Sequence, residues 1–185
     1  MKNEIVKLGL ILCLIAAVAS GLLSIVNQIT APTIAAGEER ANNEARMKIL
    51  PMAEDFEKIE EQMPEGILEV YKGMKGSDVV GYTIKTAPKG YGGPIEVITG
   101  VTAEGVVSGV SIGTMNETPG LGAKSKDEAF ISQYTDKTAE MQLAVIKSGQ
   151  PKENEIAAIA GATISSKGVT EGVQNSLAYY NENLK

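Results

Sequence analysis

Ile67-Leu68-Glu69-Val70-Tyr71 and Val79-Val80-Gly81-Tyr82-Thr83-Ile84-Lys85-Thr86, with Gly76-Ser77-Asp78 between them, decide the fold class of this 185-residue chain. Both segments are rich in β-branched and aromatic residues, which suit a pleated, half-buried surface, and the intervening residues suit a turn. The pair reads as a hairpin. Further strands are expected at Ile95 to Val101 and Val106 to Ile112, separated by the turn Thr102-Ala103-Glu104-Gly105. Helical segments follow near Lys126 to Tyr134 and Glu171 to Leu184. Runs of strands followed by helices predict an α+β domain with an antiparallel sheet and flanking helices, not a doubly wound parallel sheet.

Working towards the N-terminus, residues 28–64 are read as a helical stalk: a helix from about Ile34 to Leu50 after a break at Ala31-Pro32, then a short helix around Ala53 to Glu61, closed by Pro64-Glu65-Gly66. Ahead of it, Leu8 to Val26 is an unbroken uncharged run, about the ~20 residues a helix needs to cross a bilayer. Ala17-Val18-Ala19 has the small-residue spacing of a signal-peptide cleavage site, but the apolar run continues past it, so a transmembrane anchor is expected. Lys2 and Lys7 precede the span and Glu38 and Glu39 follow it, which puts the N-terminus in the cytoplasm and the folded domain outside. The expected segments are a cytoplasmic 1–7, a membrane helix 8–27, the stalk 28–64 and a domain 65–185.

Composition narrows the chemistry. The chain has no histidine, one cysteine (Cys13, inside the apolar run) and a net charge of -6 without a basic cluster. Imidazole-based catalysis, His-based metal sites, thiolate zinc sites and an internal disulfide are thereby excluded, and nucleic acid is not an expected partner. Carboxylates, hydroxyls, lysines, backbone amides or an imported cofactor remain.

Gly161-Ala162-Thr163-Ile164-Ser165-Ser166-Lys167-Gly168 is the stretch that points to a ligand. A turn of small residues opens a helix whose apolar stripe is Val169, Val173, Leu177, Tyr180 and Leu184, with Ser165 or Ser166 as the expected cap. The unpaired amides of a helix start favour an anion, so a phosphate is expected there. Small residues before Ser-Ser also begin helices that bind nothing. Two glycine-rich loops flank the central strands, Lys89-Gly90-Tyr91-Gly92-Gly93-Pro94 and Glu117-Thr118-Pro119-Gly120-Leu121-Gly122-Ala123-Lys124, and neither matches a P-loop or a GxGxxG fingerprint. Pro119-Gly120 suits a type II turn, and the second loop offers an acceptor at Glu117, a hydroxyl at Thr118 and exposed amides at Gly120 and Gly122.

The N-terminal span, Tyr91-Gly92-Gly93-Pro94, Glu117-Thr118-Pro119-Gly120-Leu121-Gly122 and Gly161-Ala162-Thr163, in that order, resemble the FMN-binding domain shared by the G subunit of the Rnf ion-translocating electron-transport complex and the C subunit of the sodium-pumping NADH:quinone reductase. The form of the Glu-Thr-Pro-Gly-Leu-Gly loop is most similar to the Rnf G subunit. In that family the Gly-Ala-Thr threonine carries FMN through a phosphoester installed by a separate flavin transferase, which implies Thr163 here. Family members usually have an acidic residue six positions before that threonine and Ser or Thr three before it, where this chain has Ala157 and Ala160.

The resemblance implies that the phosphate lies near Gly161, Ala162 and the amides of Ser165 and Ser166, with Lys167 a further charge contact. It implies that the ring rests on the loop of Glu117, Thr118, Leu121, Gly122 and Lys124, and that Tyr91 and Gly92 shape an adjacent wall. No residue reads as a general base for a small substrate. The implied role is electron relay between ferredoxin and NAD within a complex of membrane and peripheral subunits that moves sodium or protons, with this chain not catalytic by itself. An anchored extracytoplasmic binding or regulatory domain without covalent flavin, or an FMN carrier of another extracytoplasmic reductase, remains open at this point.

Overall fold

The computed structural model describes residues 2–185, with side chains from Glu4 onward. The chain divides into two compact units, Met1–Asn42 and Asn43–Lys185. The described residues of the first are helical and belong to α1 (Lys2–Ile49), whose apolar part has a mean hydropathy of 2.6 over its best 18-residue window and buries none of it. Pro32, the expected break, lies inside this helix. Proline withholds a single backbone donor, and the Ala- and Glu-rich flanks are strong helix formers that carry the helix past it.

The second unit holds a five-stranded antiparallel sheet in sequence order: β1 (Asp55–Lys58), β2 (Ile67–Lys75), β3 (Asp78–Thr86), β4 (Ile95–Thr102) and β5 (Val107–Met115). The four strands read from the sequence are therefore present as a meander. The expected helix at Ala53 to Glu61 is not: Asp55 to Lys58 form an edge strand, pairing Phe56 with Gly73 and Lys58 with Tyr71. The free edge of β2 offers ladder hydrogen bonds that outweigh the helical propensity of a short Glu-rich segment.

One face of the sheet is covered by α3 (Thr163–Asn183). Its apolar stripe holds: Val169, Val173 and Leu177 are fully buried, Tyr180 nearly so, and Leu184 packs on the core edge. The start of this helix lies at Thr163, well before Glu171, because the Ser-Ser-Lys-Gly turn is already helical. The expected helix at Lys126 to Tyr134 is shorter, with α2 (Glu128–Ile131) flanked by 3-10 turns at Gly122–Lys126 and Ser132–Tyr134. A parallel pair, β6 (Ala144–Ile146) with β7 (Glu155–Ala157), was not read from the sequence; three-residue strands carry no usable periodicity.

The opposite face receives the last turns of α1. Gly73 pairs with Gly81 and Gly100 with Gly109, forming a backbone-floored trough across β2 to β5. Ile49 and Leu50 fill it: a Cβ on Gly73 would lie 2.4 Å from Leu50 Cδ2, and one on Gly100 would lie 2.9 Å from the Ile49 carbonyl oxygen. Ser108 donates to that carbonyl at 2.5 Å. Arg46, 1 % exposed, sits 3.6 Å over the Tyr71 ring and pairs with Glu69 at 3.2 Å. These contacts lie within the compact unit that starts at Asn43.

Candidate functional site

Antiparallel pairing of Ile95 with Met115 brings the start of β4 beside the end of β5, so the loops at 89–94 and 116–122 become neighbours. The first loop is tight, with the Gly90 amide donating to Gly93 O at 2.7 Å. In the second, Leu121 N donates to Thr118 O at 3.1 Å and Gly120 has φ +77°, the type II turn expected of Pro119-Gly120. The third wall is the start of α3, reached through Gly161 at φ +76°, a backbone conformation that a side chain would strain.

A cleft of about 580 Å³ opens between these three segments. It is lined by Tyr91, Glu117, Thr118, Leu121 and Gly122 on the loop side and by Gly161, Ala162, Thr163, Ile164 and Ser165 on the helix side. Nine of the residues named from the sequence thus converge on one cavity. Three others do not line it: Gly92 and Lys124 are exposed outside it, Lys124 in the 3-10 turn, and Ser166 is buried beneath the helix start. Lys167 faces a different cavity with Leu143 and Val145.

Neither serine caps α3. The N-cap is Ala162, whose carbonyl accepts from Ser166 N at 3.0 Å and from Ser166 Oγ at 2.9 Å. Ser166 Oγ also accepts from Ile159 N at 3.0 Å, and Ser165 Oγ donates to Glu117 Oε2 at 2.6 Å. Both hydroxyls lie too far into the helix to cap it, and both are consumed by internal bonds. The Thr163 hydroxyl, half-buried at the first helical position, forms no such bond among the described residues. The amides of Thr163, Ile164 and Ser165 precede the first intrahelical donor, Ser166 N, and are left for an anion.

Glu117, expected as an acceptor offered to a ligand, lines the cleft and also bonds to the protein. Its carboxylate, 9 % exposed, accepts the amides of Tyr91 at 2.8 Å and Gly92 at 3.0 Å on Oε1, and the Ser165 hydroxyl on Oε2. Ile164, absent from the sequence reading, projects into the cleft and is 55 % exposed; its position off the α3 stripe was the available signal. With Tyr91 (71 % exposed) and Leu121 (43 %), it leaves large apolar surface around the opening.

The residues present fit FMN. The volume lies in the ~300–1,000 Å³ range of small-ligand pockets, Tyr91, Leu121 and Ile164 offer apolar surface for a planar ring, and the free amides and hydroxyl at Thr163 suit a phosphate.

Comparison with known proteins agrees with this geometry. The model of an FMN-binding domain matches residues 90–178, and that of the RnfG N-terminal region matches residues 1–48. The G subunit of the Na+-translocating ferredoxin:NAD+ oxidoreductase complex of Acetobacterium woodii is 46% identical over 94% of this chain and 90% of that protein. The corresponding subunit of the proton-translocating complex of Clostridium ljungdahlii is 36% identical over 84% of this chain and 80% of that one. The crystal structure of the C subunit of the Na+-translocating NADH-quinone reductase from Parabacteroides distasonis matches with a TM-score of 0.53 and 27% identity, over 62% of this chain and 61% of that chain. By its identity to these relatives along nearly its whole length, the chain belongs to the family of G subunits of Rnf-type ion-translocating oxidoreductase complexes.

Proposed function

We propose that this chain, a membrane-anchored FMN-binding subunit of an Rnf-type complex, carries its FMN as a phosphoester on Thr163 and relays electrons between ferredoxin and NAD partners while other subunits translocate sodium or protons. The observation that carries the attachment site is the state of the three hydroxyls at the start of α3: those of Ser165 and Ser166 are engaged, and that of Thr163 is free, in the cleft, beside unpaired amides. A separate flavin transferase would join Thr163 Oγ to the FMN phosphorus of a flavin dinucleotide donor: the Oγ–P bond forms, the donor's phosphoanhydride bond breaks, the nucleoside monophosphate leaves, and the hydroxyl proton is released. Bound flavin supplies one- and two-electron redox chemistry.

The chain's own residues position and shield that group. The first amides of α3 and the helix dipole stabilise the phosphate charge. Leu121, Ile164 and Tyr91 present apolar surface that excludes water from one side of the ring. Covalent attachment retains the cofactor on the extracytoplasmic side, where a free mononucleotide would be lost by dilution. The single span carries no ionisable residue other than Cys13 between Leu8 and Val26, so ion binding within the membrane falls to partner subunits.

Intact mass of the native protein, and in-gel flavin fluorescence after co-expression with a flavin transferase, test this reading. The expected mass is that of the chain plus one FMN less water. Thr163→Ala should abolish both signals, whereas Thr118→Ala, which removes another hydroxyl lining the cleft, should retain them. Unmodified native mass, or a fluorescent Thr163→Ala band, would refute the assignment.

A further inference from the structure

Glu117 is the most connected polar side chain around the cleft, with three hydrogen bonds from the protein itself. Oxygen Oε1 accepts two successive amides, Tyr91 and Gly92, from the loop before β4, and Oε2 accepts Ser165 from the first turn of α3. Three remote segments, at 91–92, 117–122 and 163–165, are joined at one carboxylate.

Two neighbouring glycines leave the room that this carboxylate occupies. A Cβ on Gly90 would lie 2.3 Å from Glu117 Oε1, and one on Gly122 would lie 2.2 Å from Oε2 and 2.6 Å from Ser165 Oγ. A Cβ on Gly92 would lie 1.8 Å from Asn116 O. Gly90 and Gly122 are explained by the carboxylate's position, not by turn geometry alone.

We propose that Glu117 is a positioning residue that sets the spacing between the ring-facing loops and the Thr163 end of the cleft by bridging Tyr91 and Gly92 to Ser165. The inference rests on the reading of the cleft as the FMN site. Reach is what matters in this role, and charge is secondary. Glutamine has the same reach: its Oε1 can accept both amides while its Nε2 donates to Ser165 Oγ, which is able to accept as well as donate. Aspartate keeps the charge but is one methylene short, so it cannot span both partners.

Glu117→Gln, Glu117→Asp and Glu117→Ala therefore separate the two properties. The variants are to be compared as the full chain in detergent by hydrogen exchange at the Tyr91 and Gly92 amides, a readout that needs no flavin. Loss of the bonds from the Tyr91 and Gly92 amides predicts exchange about tenfold to a hundredfold faster in Glu117→Asp and Glu117→Ala, and near wild type in Glu117→Gln, whose amide oxygen still reaches both. Incubation with flavin transferase and a flavin nucleotide donor should give the same order in the initial rate of Thr163 modification. In Glu117→Gln the loaded protein should show a more positive midpoint potential, because a buried negative charge no longer opposes electron gain.

A wild-type chain that takes up no flavin would overturn the reading of the site while leaving the exchange result intact. Equal exchange in Glu117→Asp and wild type, or Glu117→Gln as impaired as Glu117→Ala, would overturn the positioning role. Near-ultraviolet circular dichroism identifies any variant that fails to fold. If Glu117→Asp and Glu117→Ala both fail, Ser165→Ala, which cuts one arm of the bridge, takes their place: exchange at Tyr91 and Gly92 should rise, and unchanged exchange would overturn the proposal.

Discussion

Leu50→Ala and Gly73→Ala, alone and together, probe whether the end of α1 is seated in the sheet as described. Leu50 is fully buried, so removing its isobutyl group costs about 2–5 kcal/mol in transfer and cavity terms. Taking ~3 kcal/mol, and about 3–4 °C per kcal/mol for a unit of this size, the midpoint should fall by roughly 10 °C. Gly73→Ala introduces a methyl 2.4 Å from Leu50 Cδ2 and 3.0 Å from Ala53 Cβ. Overpacking of this kind costs ~1–3 kcal/mol.

In the double variant the δ carbons that obstruct the new methyl are gone, so the second substitution should cost less than ~1 kcal/mol, a coupling within the ~0.5–3 kcal/mol range of contacting residues. Gly81→Ala supplies the control. Its Cβ would lie 2.5 Å from the backbone oxygen of Val101 and 3.0 Å from Leu50 Cδ1, and truncating Leu50 relieves only the second, lesser contact. All six tyrosines lie between residues 71 and 180, and the chain has no tryptophan, so near-ultraviolet circular dichroism reports this unit while the anchor stays silent. Additivity of Leu50→Ala and Gly73→Ala within ~0.5 kcal/mol, or an equal rescue of Gly81→Ala, would refute the seating.

Alkaline pH should destabilise the domain through Tyr134, because burial holds its phenol protonated above the ordinary tyrosine range, with its Thr170 hydrogen bond a smaller opposing effect. An unfolded tyrosine ionises near pH ~10, so above that pH the unfolded state binds fewer protons and stability falls as pH rises; unfolding free energies in Tyr134→Phe should fall less steeply there, and an identical slope would contradict this. Ala160→Ser and Ala157→Asp should speed flavin attachment by restoring the residues usual in this family; Ala157 is held by backbone bonds to Gln133 at 2.7 and 3.3 Å, which its side chain does not enter, so neither change should unfold the strand. Unchanged attachment rates by intact mass would count against that. Lys185→Cys in a Cys13→Ser background should react with a membrane-impermeant maleimide in intact cells if the domain is outside; labelling only after permeabilisation would reverse the topology.

The meander and the α3 stripe were legible because each repeats a period over several residues: two for β3, about three and a half for Val169, Val173, Leu177 and Tyr180. The loops at Tyr91 and Glu117 and the turn at Gly161 were legible as chemistry because their small residues bare backbone amides, and they do line one cleft; Thr163 as an attachment point came from the family resemblance, not from local pattern. What stayed hidden depends on distant partners. Phe56 reads as helical until β2 provides an edge to pair with. Ser165 and Ser166 read as caps until Glu117 and Ile159 are brought within reach. Glu117 reads as a ligand contact, and nothing local reveals that three donors from two other segments also converge on it.

Because the seat for Ile49 and Leu50 is cut into main chain at four paired glycines, no side chain on the sheet can swing in to cover it. Soluble fragments begun at the end of the apolar run or at the Pro64-Glu65-Gly66 junction therefore have opposite fates. Retaining residues from Asn43 onward keeps the plug with its socket, whereas starting after Leu50 leaves bare backbone facing water and invites a second chain to fill it. The anchor's final two turns are best regarded as the first element of the flavin domain.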